Sequence, residues 1–292
     1  MTWQMQGPYS GERCSRQHEA PAFHRYDRKS EMIYTCYEMI ADCRAGRPEG
    51  WRFFVSSYVP VIRKLLARYR PGEPSDLEPV LTALHRSESA LFQSLDPAPE
   101  RWFVAQVRQK VLEQLTPAAP AATIDLETIS AALEPLTLVE KQVAWLETML
   151  YSPAETGVLL RMAPTTAEKI RGKAAELIRG KVDSWSRNIL PENGRALGIE
   201  AAAAGGADCL PPKTFLDMLD GRATWQGRGE LERHVTRCWH CIDHFCRLVE
   251  VTELLRGNKP LSDGEASPYW ELLGVGPAKP PAWKRWLAGR SG

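Results

Sequence analysis

The chain has 292 residues, with 37 Lys and Arg against 36 Asp and Glu and a net charge of +1. That length suits two or three domains of ordinary size, and so even a balance excludes a chain drawn as a whole to nucleic acid; any such contact must come from a local patch. Hydrophobic residues at 43% and charged residues at 25% are those of a globular protein. No run approaches the roughly 18 apolar residues of a membrane helix. The opening Met1-Thr2-Trp3-Gln4-Met5-Gln6-Gly7-Pro8 lacks the basic-then-apolar pattern of a secretion signal, so a cytoplasmic location without membrane contact is expected. The seven cysteines, an odd number in a reducing compartment, speak against a disulfide framework.

No segment alternates as a strand does, and the expected fold class is all-α. Residues 1–29 are polar and aperiodic, and a flexible segment is expected there. A first helical module spans 30–115. Its opening helix carries Met32, Ile33, Cys36, Met39, Ile40 and Cys43 at three- and four-residue steps. A second runs from about Glu49 to Tyr69, a third over Leu77–Leu95 and a fourth from Glu100 to Leu115. A linker at 116–123 leads to a second helical module at 124–187. The Ala- and Gly-rich stretch 188–208 reads as another linker, 209–256 as a third module and 257–292 as a Pro- and Trp-containing tail. Pro268-Tyr269-Trp270 and the tryptophans Trp283 and Trp286 set aromatics among prolines and cations, the residues that anchor interfaces, so this tail is expected to dock on a partner or on the body of the chain.

Ser152-Pro153-Ala154-Glu155 is a capping box with proline at the first helical position, and Thr165-Thr166-Ala167-Glu168 reads as a second one thirteen residues later. Two capped helices across the turn Met162-Ala163-Pro164 are the sequence form of a helix-turn-helix. Ala167, Ile170, Ala174, Leu177 and Ile178 form the packed face of the second helix. Thr165, Thr166, Lys169, Arg171 and Lys173 are the candidate nucleic-acid contacts, to base edges and phosphates. A plain helical hairpin with a solvated outer face is the alternative that spacing alone leaves open.

Together with Leu136-Thr137-Leu138-Val139-Glu140-Lys141, these two helices resemble region 4 of the extracytoplasmic-function sigma factors. Met39 through Trp51, Tyr58 through Leu65, and more loosely Asp76-Leu77 and Trp102 through Arg108, are similar to region 2 of the same family. The resemblance covers about 31–185. It implies a transcription initiation factor that binds core RNA polymerase and reads promoter elements near positions −35 and −10. Three residues depart from the family pattern: Pro79 in a polymerase-facing helix, Arg161 where the turn often has glycine, and Arg171 where an apolar residue is usual. Of these, Pro79 and Arg171 favour an alternative, a degenerate sigma-like adaptor that binds a regulatory protein partner without promoter recognition.

Cys209, His234, Cys238 and Cys241 have ligand spacing. If helical, His234 and Cys238 stand one turn apart on one face, Cys241 follows at knuckle spacing, and Cys209 adds a fourth ligand. Three thiolates and one imidazole make a closed, structural Zn²⁺ set, with His240, His244 and Cys246 as competing ligands. The pattern, with Leu216-Asp217-Met218-Leu219-Asp220-Gly221 between first and second ligands, is similar to the zinc-binding anti-sigma domain. That resemblance implies a module that clasps sigma domains, here joined in cis. No nucleotide-binding loop, nucleophile elbow or His-Glu-x-x-His pair occurs, and no enzymatic activity is expected.

Overall fold

In a computed structural model of the chain, the residues described are 34–69, 77–86, 99–114, 123–182, 186 and 188–276. Segment 1–29, almost all of the 116–123 linker, and Trp283 and Trp286 lie outside them. Among the described residues there are thirteen helices and no strand, so the fold is all-α.

Helix α1 (Cys36–Arg44) starts at a capping box in which Thr35 and Glu38 exchange side-chain and backbone bonds. Helix α2 (Pro48–Tyr69) buries Trp51, Phe54, Val55, Tyr58, Ile62 and Leu65, a stripe at helical spacing. Against it pack α3 (Leu77–Arg86) and α4 (Glu100–Gln114). Phe103 of α4 meets Phe54 and Tyr58 edge-on at ring separations of 6.2 and 5.3 Å, the geometry aromatic quadrupoles favour. Pro79 occupies the third position of α3. In that first turn no intrahelical partner exists for its missing N–H, so it does not interrupt the helix.

The second module holds α5 (Leu126–Leu133), α6 (Leu138–Thr148), α7 (Pro153–Leu160) and α8 (Pro164–Arg179). It does not end near 187. The stretch 188–208, expected as a linker, carries a fifteen-residue helix, α9 (Ile189–Ala203). Alanine is the best helix former, and the small residues let α9 cross α6 closely: a Cβ on Gly194 would lie 2.0 Å from the Thr148 carbonyl oxygen. The Glu200 carboxylate accepts from the Leu126 N–H at 2.7 Å, satisfying a free donor at the start of α5.

The third module comprises α10 (Pro212–Leu219), α11 (Trp225–Val235) and α12 (Trp239–Arg256). The tail is also partly helical. Helix α13 (Asp263–Leu272), capped by Ser262 and Glu265, packs on α2 and buries Trp270. The expected docking of the tail holds for this part, on the chain's own body.

Helix α12 lies against α4, α6 and α9 and reaches α2 and α7 as well. Its Glu250 is fully buried, accepting from Arg108 Nε of α4 and, at 2.7 Å, from the Tyr151 hydroxyl beside α7. Arg108 also donates to the Tyr69 hydroxyl at 2.6 Å. Its Asp243 accepts from Trp145 Nε1 at 3.0 Å and pairs with Arg247 at 2.5 Å. The three modules read from the sequence therefore share one polar interior along α12.

Candidate metal centre and nucleic-acid face

Three short segments bring the four candidate metal ligands together. Cys209 lies in the loop between α9 and α10, His234 in the last turn of α11, Cys238 at the N-cap of α12 and Cys241 in its first turn. His234 and Cys238 do not share a helix, as one-turn spacing had implied. Helix α11 ends at Val235, and Thr236-Arg237 turns the chain into α12. Between first and second ligands, α10 closes in the Asp220-Gly221 turn, with Gly221 left-handed at φ +70°. The Arg222 N–H bonds back to the Asp217 carbonyl at 2.8 Å, as a glycine-terminated helix does.

The four ligand atoms all lie within 4.8 Å of one another. Cys209 Sγ and Cys238 Sγ are 3.8 Å apart, far beyond a disulfide and equal to the edge of a tetrahedron with metal–sulfur bonds of about 2.3 Å. His234 Nε2 lies 3.1 Å from Cys241 Sγ. The Gly206 N–H donates to Cys209 Sγ at 3.3 Å, and the start of α12 supplies a positive dipole end beside Cys238 and Cys241. Burial pushes the Cys241 thiol up to about 12, against a backbone bond from Leu210 and with Cys238 and Cys209 adding to the rise. Three thiols gathered in a partly buried site hold no charge comfortably unless a cation takes it up, and a divalent ion would deprotonate them. The donor set fits a metal ion.

The competing ligands are engaged elsewhere. His240 Nδ1 faces the Ala201 and Ala202 carbonyls at 3.1 and 3.2 Å. His244 is stacked against Trp102 at 4.5 Å and Phe215 at 5.8 Å, and burial pulls its pKa down to about 4, helped by His240 and Arg247. Cys246 is buried in the α12 interface.

In the helix-turn-helix, Ser152 and Glu155 form the expected capping box at the start of α7. Arg161 closes that helix at φ +55°, which explains why glycine suits the position. The left-handed conformation costs an ordinary residue about 1 kcal/mol. Gly157 is required on the other side of the turn: a Cβ there would come within 2.7 Å of the Met162 carbonyl. The second capping box is absent. Helix α8 begins one residue earlier than Thr165, with Ala163 at the N-cap and Pro164 at the first position. Proline's fixed φ starts the helix without a side-chain cap, so Thr165 is already helical.

Thr165, Thr166 and Lys169 are exposed on α8. Lys173 is exposed too, but pairs with Glu140 of α6 at 2.7 Å. Arg171 is half-buried, with its guanidinium 2.6 Å from Glu147 of α6. The residues that sequence reasoning missed are Arg108, Tyr151, Asp243 and Glu250. The one signal for them is a lone carboxylate in the apolar run Leu248-Val249-Glu250-Val251. No helix among the described residues is long and apolar enough to cross a membrane. Comparison with protein-family models, with curated proteins and with solved structures finds no match.

Proposed function

We propose that the chain is a sigma-like transcription initiation factor held closed by its own zinc module. In this reading Cys209, His234, Cys238 and Cys241 hold one structural Zn²⁺, α7 and α8 face promoter DNA, and the α1–α4 module meets core RNA polymerase. The observation that carries the reading is the seat of α12. The helix that bears two of the ligands is wedged between the two sigma-like modules, with Glu250 bonded at once to Arg108 of the first and Tyr151 of the second.

Elements near −35 and −10 are about 25 base pairs apart, roughly 85 Å at 3.4 Å per pair. Here Arg68 of α2 reaches Glu155, the cap of α7, at 2.7 Å, and the Leu150 carbonyl at 3.2 Å. Modules in such contact cannot span that interval, and the closed unit must open before both elements are engaged. Zinc folds and orients the α11–α12 corner, so losing it loosens the wedge; oxidation of Cys238 or Cys241 is one route to that loss.

The adaptor reading is favoured by one feature of α8. Two of its cations, Arg171 and Lys173, are already paired with Glu147 and Glu140. Binding of the full-length chain to core RNA polymerase and promoter DNA, zinc-loaded and zinc-stripped, separates the two. The sigma reading expects at least tenfold tighter binding after stripping. Polymerase binding without DNA binding in either state installs the adaptor, and no polymerase binding in either state overturns the sigma reading.

A further inference from the structure

Helix α2 runs without a break through Pro60. A proline inside a helix has no N–H, and its ring crowds the carbonyl four residues back, here that of Ser56. That carbonyl is taken by another part of the chain: the Leu261 N–H donates to it at 2.8 Å. The neighbouring Ser57 carbonyl accepts from Asn258 Nδ2 at 2.6 Å, and the Arg52 carbonyl from Trp270 Nε1 at 3.3 Å. In return Arg52 donates to the Val275 carbonyl at 3.3 Å, and Arg63 to the Tyr269 hydroxyl. Lys64 Nζ closes the row, 3.4 and 3.3 Å from the Leu254 and Gly257 carbonyls at the end of α12. Apart from the buried faces of Ala266, Trp270 and Leu273, these are polar and directional bonds, and each ties segment 254–276 to α2.

The geometry points to an intramolecular latch: residues 258–276 grip α2 at the carbonyl that Pro60 frees and so hold the end of α12 against the first module. The grip is made of few apolar contacts and many backbone-directed bonds, the composition of a unit that opens locally before the rest of the fold. A deep apolar helix would open only with global unfolding. Pro60 is the determinant. An N–H at position 60 would compete with Leu261 for the Ser56 carbonyl. The latch therefore acts at the far end of α12 from the metal ligands and gives the closed state a second fastening that does not depend on the ion. Its regulatory role rests on the function proposed above; its existence does not.

Hydrogen exchange on the zinc-loaded full-length chain tests it. In the wild type the Leu261 amide and those of 263–272 exchange together, faster than the core of α2 and α12. Pro60→Ala raises Leu261 exchange at least tenfold although it restores the regular bond within α2. Trp270→Ala does the same across 258–276 and leaves α5–α8 unchanged. Unaltered Leu261 exchange in both variants overturns the latch, as does exchange of 258–276 only in step with α12. Asn258→Ala, which removes one bond and no apolar surface, decides the matter if either variant fails to fold. Core RNA polymerase added to the same samples gives the functional arm, with binding raised about fivefold by Trp270→Ala. Binding raised by zinc removal but not by the variants denies the latch a role in restraint. Absent binding in all states overturns the proposed function and leaves the exchange result standing.

Discussion

Arg108 of α4 and Glu250 of α12 form an ion pair with both side chains almost wholly out of water, 142 residues apart in sequence. Charges in such a place are stable only together, because each alone would lack solvent. Glu250 also draws in Tyr151, and Arg108 draws in Tyr69. The cluster thus reports whether α12 is seated between the modules.

Glu250→Ala strands Arg108, and the expected loss is about 3–5 kcal/mol of unfolding free energy. Replacing the pair together, Arg108→Met with Glu250→Leu, recovers much of it, since similar apolar volume fills the space without a bare charge. Denaturant titration of the single and double variants is the check. A double-variant loss equal to the sum of the two single losses would show that the pair is not coupled.

The metal set is tested by composition and by stability. About one zinc per chain is expected in the purified protein, and none in the Cys238→Ser/Cys241→Ser variant, by elemental analysis. His244→Phe and Cys246→Ser retain the metal, because these side chains face Trp102 and the α12 interface instead. Chelation is expected to expose the amides of α11 and the start of α12 to exchange first, since these segments carry three of the four ligands.

The clustering of Cys209, His234, Cys238 and Cys241 and the α7 cap were legible because each rests on residue chemistry at short spacing: thiols and an imidazole, or a hydroxyl and a carboxylate three apart. What was not legible depends on contact between distant segments. Ala201 through Gly206 has a linker's composition, yet Gly194 lets α9 lie on α6 and Ala201 is fully buried, and close packing fixes a helix there. Pro268 stands inside α13, which the capping pair Ser262 and Glu265 starts and Trp270 holds down. Pro164 displaced the expected Thr165 cap because its own backbone starts the helix. The Arg108–Glu250 pair has no local signature beyond one acid among apolar neighbours.

A pH effect follows from His244. Burial holds its pKa at about 4, against 6.5 for the free side chain. The unfolded chain takes up this proton near pH 6.5 and the native chain does so only near 4. Stability is therefore complete above 6.5 and falls as the pH drops toward 4, by at most about 3 kcal/mol. His244→Phe removes that slope. Comparing the two proteins at each pH cancels whatever acid does to the metal site. Parallel stability curves between pH 6.5 and 5 would contradict the assignment.

On the proposed nucleic-acid face, Lys169 is exposed on α8, whereas Lys173 is held by Glu140. Lys169→Ala is expected to reduce the salt dependence of promoter binding by about one unit of slope, the loss of one phosphate contact. Lys173→Ala is expected to change it less, and Glu140→Gln to steepen it by freeing the ammonium. A slope unchanged by Lys169→Ala would remove this face from the interface.

On the proposed function, zinc-loaded α12 keeps the first and second modules together, and they part on engagement of polymerase and promoter. Fluorophores placed by unnatural amino acids at Arg86 and Glu176, exposed on α3 and α8, report their separation in the full-length chain. One short distance is expected with zinc bound, and a shift to a longer one on adding core RNA polymerase and promoter DNA to the zinc-stripped protein. A distance that stays short while the protein is bound to polymerase and promoter would contradict it.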